Sequence, residues 1–102
     1  MPRIYAGAVN YVSNPNEVIQ PYGPRDAHGK DLWHPKCHQD PTSKLVTVTL
    51  DSGSQLPPVV ILTANNPKSL PFLSEPLSDA FVVGVTDTAD RPVFDFIAIL
   101  PD

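Results

Sequence analysis

The residues with the widest chemical repertoire are crowded into one stretch. His34-Pro35-Lys36-Cys37-His38, with His28, Asp31 and Asp40 close by, brings imidazole, thiol and carboxylate together. Imidazole and thiolate are good ligands for zinc and similar ions, so His34, Cys37 and His38 form a candidate metal set if the chain folds back on itself there. Several features oppose that reading. The spacing is not that of a four-ligand structural site, Pro35 stiffens the segment, and Lys36 adds positive charge inside it. Solvated loop residues account for the same composition. The sequence is therefore read as needing no cofactor, with a metal ion at His34, Cys37 and His38 as the variant to test. In that variant, one histidine from each of three copies would meet on a symmetry axis. Cys37 beside His38 does not read as a catalytic couple, because adjacent residues seldom set thiolate and base in productive geometry.

A second set in the same stretch points to sugar recognition. Tyr22, Arg25, Asp26, Asp31 and Trp33 supply flat aromatic faces that stack on C–H surfaces and planar polar groups that fix hydroxyls. If these residues bind a glycan, they are expendable for folding. The plainer alternative is that Trp33 and Tyr22 pin the loop onto the edge of the domain. Tyr5 and Tyr11 lie on an expected strand and read as structural. No nucleophile elbow, phosphate-binding glycine loop or H-E-x-x-H is present. The carboxylate pairs Glu75/Asp79 and Asp87/Asp90 fit a solvated edge better than a glycosidase dyad. The chain reads as a non-enzyme.

The elements that must position these groups are extended segments. Thirteen of the 102 residues are proline, more than twice the usual share of about 5%, which nearly rules out long helices. Leu45–Leu50 alternates cleanly, with Val46, Val48 and Leu50 on one side and Thr47 and Thr49 on the other. Phe94, Phe96, Ala98 and Leu100 alternate in the same way over 92–100, and Phe81, Val83 and Val85 over 80–86. Residues 58–64 are apolar on both faces, as in a central strand. Arg3–Val12 reads as a further strand. Residues 86–92 read as a hairpin joining the last two strands, and 65–79 as an extended loop or edge strand with apolar side chains tucked under it. Residues 13–44 contain five prolines and little periodicity. They read either as a functional loop or as hiding a short strand near Val18–Gln20 or Asp31–Trp33. The expectation is a single all-β domain over 1–102, a small antiparallel β-sandwich of about six strands with a long Pro-rich loop.

Charge and cysteine content narrow the partners. Residues 1–44 hold five Lys/Arg and four Asp/Glu (+1), and residues 45–102 hold two and seven (−5). An acidic chain without a basic stripe argues against nucleic acid. No apolar run is long enough to span a membrane, and no signal peptide is evident at the N-terminus. Cys37 is the single cysteine, so no internal disulfide forms.

Four segments carry a family resemblance. Arg3-Ile4-Tyr5-Ala6-Gly7-Ala8-Val9 resembles the small-residue first strand of H-type lectins and the related receptor-binding tips of phage tail fibres. Gln55-Leu56-Pro57-Pro58-Val59-Val60-Ile61-Leu62 is similar to their "PPVV" strand. Ala80-Phe81-Val82-Val83-Gly84-Val85 resembles the strand after their variable loop, and Phe94-Asp95-Phe96-Ile97-Ala98-Ile99 their closing strand. Phe96 stands where a Trp is usual, the cysteine bridge of the animal lectins is missing, and residues 13–44 match nothing in the family. The resemblance implies a homotrimeric sandwich that binds a cell-surface glycan or receptor, with loops 13–44 and 65–79 presenting the contacts. It also implies a virion or extracellular location, and the lone thiol with no evident signal peptide fits cytoplasmic synthesis. The alternative from a different class is a protein-interaction module, either a virion decoration or assembly subunit or an inhibitor of a defence protein.

Overall fold

A computed structural model describes residues 3–10, 14–30, 33, 35–64, 70–86 and 92–100. Eight strands follow in chain order: Arg3–Asn10 (β1), Asn14–Tyr22 (β2), Lys36–Gln39 (β3), Val46–Thr49 (β4), Val59–Ala64 (β5), Pro71–Leu77 (β6), Ala80–Val85 (β7) and Val93–Leu100 (β8). They form one sheet in the order β5-β8-β1-β2-β3-β4-β7-β6, with every described pairing antiparallel. The edge strands β5 and β6 come into contact, so the sheet curls into a nearly closed barrel. Around that barrel β5, β6 and β7 are successive neighbours and β4 lies beside β7, which is a Greek-key arrangement.

The all-β, antiparallel expectation holds, but the strand count and connections differ from the sequence reading. There are eight strands, not about six. The extra pair comes from residues 13–44, which contain β2 and β3. The expected Val18–Gln20 strand is part of β2, whose pattern is disguised by a bulge. Ala6 pairs with Tyr22 and Ala8 with Ile19, so β2 carries one residue more than β1 over that interval. Gln20 takes a positive φ of 50° there, and the extra residue breaks the period-2 signal. Residues 87–91 of the hairpin expected over 86–92 lie outside the described residues, but the two strands it would join do not pair with each other. β7 pairs with β4 and β6, while β8 pairs with β1 and β5. Nor is β5 central: it sits at an edge, hydrogen-bonded only to β8. Over 65–79 the edge-strand alternative is correct, as β6, but Phe72 and Leu73 are exposed instead of tucked under.

The alternating residues fill the barrel as expected. Val46, Val48 and Leu50 point inward from β4 and its end, Phe81 and Val83 from β7, and Phe94, Phe96, Ala98 and Leu100 from β8. Each such side chain contributes about 1.5–3 kcal/mol by leaving water. Phe81 and Phe96 meet edge to face at 5.2 Å between ring centroids. Gly7 faces inward opposite Phe96, and a Cβ there would collide with Val18 Cγ1, so the close approach of β1 to β2 requires glycine.

The barrel consists of two four-stranded halves, β5-β8-β1-β2 and β3-β4-β7-β6. The seam between them is a single registered pair among the described residues, Glu17 opposite Lys36.

Candidate functional site

The Pro-rich stretch divides its sequence-predicted site residues between inside and outside. Trp33 is only 5% exposed and belongs to the core. Its ring meets Tyr5 edge to face at 4.9 Å and Phe96 at 6.4 Å. Gly23 passes directly over it, and a Cβ at Gly23 would lie 2.7 Å from the indole ring. The assignment of Trp33 as a stacking face is therefore corrected. Its apolar ring is worth more in the barrel than at the surface, and the plainer reading, in which it pins the loop, describes it better. Tyr22 is 58% exposed, on the outer face opposite Ala6, so it does not pin the loop. Arg25 is exposed. Asp31 and His34 lie outside the described residues.

Asp26 holds its own turn. Its Oδ1 accepts hydrogen bonds from the backbone N–H groups of His28 at 2.8 Å and Lys30 at 2.9 Å. The Asp26 N–H donates to the Lys30 carbonyl, and Gly29 closes the turn at φ 80°. Such Asx geometry explains the aspartate without a ligand. Two depressions flank Trp33. One, of about 420 Å³, lies at the seam against Asn16, Glu17, Pro21, Pro35 and Lys36. The other, of about 270 Å³, is lined by Arg3, Tyr5, Pro24, Asp51 and Ser52. The Trp33 Nε1–H has no hydrogen-bond partner among the described residues.

The two described members of the candidate metal set, Cys37 and His38, do not converge. Cys37 and His38 are consecutive on β3, and successive strand residues point to opposite faces. Cys37 is buried opposite Val48, whereas His38 is exposed opposite Thr47. One ion cannot take both from this strand.

Asp40 organises the β3–β4 turn. Its Oδ1 accepts from the Thr42 N–H at 2.7 Å and the Ser43 N–H at 2.9 Å. The Ser43 and then the Thr42 backbone hydrogen bonds hold its carboxyl below the usual 3.8, with the Ser43 hydroxyl and the His38 charge adding to the effect. A depressed carboxyl stabilises the fold above its unfolded pKa and loses that contribution as pH falls through the folded value. A carbon-detected NMR titration should therefore place Asp40 below 3.8. Asp40→Asn should remove its share of the acid sensitivity. A midpoint at or above 3.8 would show that the turn does not hold the charged form.

Asp87 and Asp90 lie outside the described residues. Glu75 is exposed on β6, and Asp79 accepts hydrogen bonds from the Ser52 and Gly53 backbone.

The largest feature beyond the sequence-predicted site residues is on the outside. Directly paired residues of an antiparallel sheet share a face. The register therefore sets Val59, Ile99 and Ile4 in one outward row across β5, β8 and β1. Ile61, Ile97, Ala6 and Tyr22 form the next row, which reaches β2. Val59 is 56% exposed, Ile61 50%, Ile4 48% and Ile97 41%. Neither row contains a charge. A third row, Thr63, Asp95, Ala8 and Ile19, supplies the first one. In the other half β3 and β4 present Lys36, His38, Thr47 and Thr49 outward instead, while β6 exposes Phe72 and Leu73. The signal lay in residues 58–64 and 92–100, which are apolar on both faces where a half-solvated strand would show polar residues.

Comparison with protein families, with curated proteins and with solved structures finds no match. The fold and the site thus define a class, an antiparallel Greek-key β-barrel whose outer surface is apolar over β5-β8-β1 and polar over β3-β4. No helix among the described residues is long and apolar enough to cross a membrane.

Proposed function

We propose that this chain is a non-catalytic protein-interaction module of the decoration or assembly type, working through the outer face of β5-β8-β1-β2. The observation that carries this reading is the pair of uncharged rows centred on Ile97. Contiguous exposed apolar surface of this kind marks interaction sites on otherwise soluble domains. The carbohydrate reading has weaker support. Of its five residues, Trp33 is withdrawn into the core, Asp26 is committed to its turn and Asp31 lies outside the described residues, which leaves Tyr22 and Arg25 as the exposed contacts among those described. A virion or extracellular setting suits either reading.

The deciding experiment compares the wild-type chain with Ile61→Lys in two assays, a glycan array and a stoichiometric protein-capture assay. A blank array together with capture of one protein at fixed stoichiometry, reduced at least tenfold by Ile61→Lys, is the expected result. Glycan-specific binding that survives Ile61→Lys would overturn the proposal.

A further inference from the structure

We infer that the cavity at the seam between the two halves is a binding site for a small zwitterion of the α-amino-acid class with an apolar side chain. The site goes beyond the interaction-module reading, because it uses none of the residues of the two uncharged rows.

The cavity grades from charged to apolar. Glu17 and Lys36 are exposed at its mouth, whereas Val18 and Trp33 are buried, at 7% and 5% exposure. Pro21 and Pro35 complete the walls. Two proline rings and an indole are stiff and apolar, so the walls are shaped before anything enters. At about 420 Å³ the cavity falls within the usual span of small-molecule sites, about 300–1,000 Å³. At about 30 Å³ per water-sized group, it takes about a dozen such groups. That is the size of a free amino acid, and it is too small for a segment of folded protein.

The charges at the mouth select the ligand. Glu17 and Lys36 are directly opposite each other across the seam. Directly opposed side chains start about 4.5–5.5 Å apart at Cβ, and opposite charges so placed ordinarily attract. Here neither side chain makes an ion pair or hydrogen bond with a described residue. The carboxylate and the ammonium are thus both available. An α-amino acid carries its own ammonium and carboxylate on one carbon, so one head group can meet Glu17 with the first and Lys36 with the second. A simple anion or cation would satisfy one member and confront the like charge of the other. The tail then points inward and leaves water against Val18, the prolines and the Trp33 ring. A charged tail would be stranded there without a partner.

Isothermal titration calorimetry of the full chain with L-leucine and with L-phenylalanine tests this. The fluorescence of Trp33, the only tryptophan, reports whether the ligand reaches the buried wall. The expected result is saturable binding of at least one of the two below about 10 mM, with a matching change in Trp33 emission. N-acetyl-leucine lacks the ammonium and leucine amide lacks the carboxylate, and each should bind at least tenfold more weakly than leucine. Glu17→Gln and Lys36→Met should each weaken binding at least tenfold. Both positions are exposed, so circular dichroism should show an unchanged fold. If one variant does not fold, the other and the two leucine derivatives still decide. No saturable binding of either amino acid, equal binding of the amide and acetyl derivatives, or binding indifferent to both variants overturns the inference. Ile61→Lys should leave amino-acid binding unchanged while it reduces protein capture, so the failure of one reading is distinguishable from the failure of the other.

Discussion

Trp33→Ala lowers the unfolding free energy by about 3–5 kcal/mol, the usual cost of emptying a buried large aromatic site. Against a typical total of about 5–15 kcal/mol, this removes a large fraction of the domain's stability. The indole fills the space among Tyr5, Phe96 and the Gly23 backbone, and none of these can move in to close the gap. Gly23 has no side chain to offer, while Tyr5 and Phe96 are held on paired strands β1 and β8. Urea unfolding followed by circular dichroism measures the loss, because the variant lacks the only tryptophan. With a slope of about 1–3 kcal/mol per molar urea, the midpoint should fall by at least about 1 M. A surface tryptophan used for stacking would behave differently, losing ligand and keeping its midpoint. An unchanged midpoint would therefore remove Trp33 from the core.

Asp79→Ala is expected to cost about 2–4 kcal/mol, through two separable effects. The first is the carboxylate. It accepts from the Ser52 N–H at 2.8 Å, the Gly53 N–H at 3.1 Å and the Ser52 hydroxyl. The Asp79 backbone also bonds Leu50 and Leu56, so one residue ties the β6–β7 turn to the chain leaving β4. The second effect is the backbone. Asp79 sits at φ 59°, a left-handed conformation that aspartate, asparagine and glycine accept more readily than alanine does. Asp79→Gly removes only the carboxylate, and Asp79→Asn keeps both the backbone tolerance and one acceptor. The expected order of stability is wild type, then Asn, then Gly, then Ala, by urea unfolding. Alanine proving as stable as glycine would eliminate the backbone effect, and glycine proving as stable as wild type would eliminate the carboxylate effect.

What could be read in the sequence was whatever obeyed the period of two. Val46, Val48 and Leu50, and Phe94, Phe96, Ala98 and Leu100, alternate without interruption, and all seven are buried. β2 could not be read the same way, because Pro15, Pro21 and the bulge at Gln20 hide a real strand behind the marks of a loop. The connection from β7 to β8 was misjudged for a different reason. A short turn-rich segment looks like a hairpin whether its strands pair with each other or with strands far away in sequence, and only the whole barrel decides between them. The site residues failed on burial. Tyr22, Arg25, Asp26 and Trp33 have the right chemistry for a sugar, but the residue types do not say which of them the interior will take. The outer rows through Ile4, Ile61 and Ile97 were visible as excess apolar residues. Those of 58–64 were read as a central strand because the order of strands was unknown.

The placement of β5 has a consequence for the growing chain. Its one hydrogen-bonded neighbour among the described residues is β8, the last of the eight strands in chain order. Until residue 93 and those after it have emerged, Val59-Val60-Ile61-Leu62 has nothing to pair with, and the flank of β1 that β8 will occupy is bare. A ribosome stalled shortly before β8 would therefore hold out two naked, β-prone edges at once, the situation in which nascent chains stick to one another.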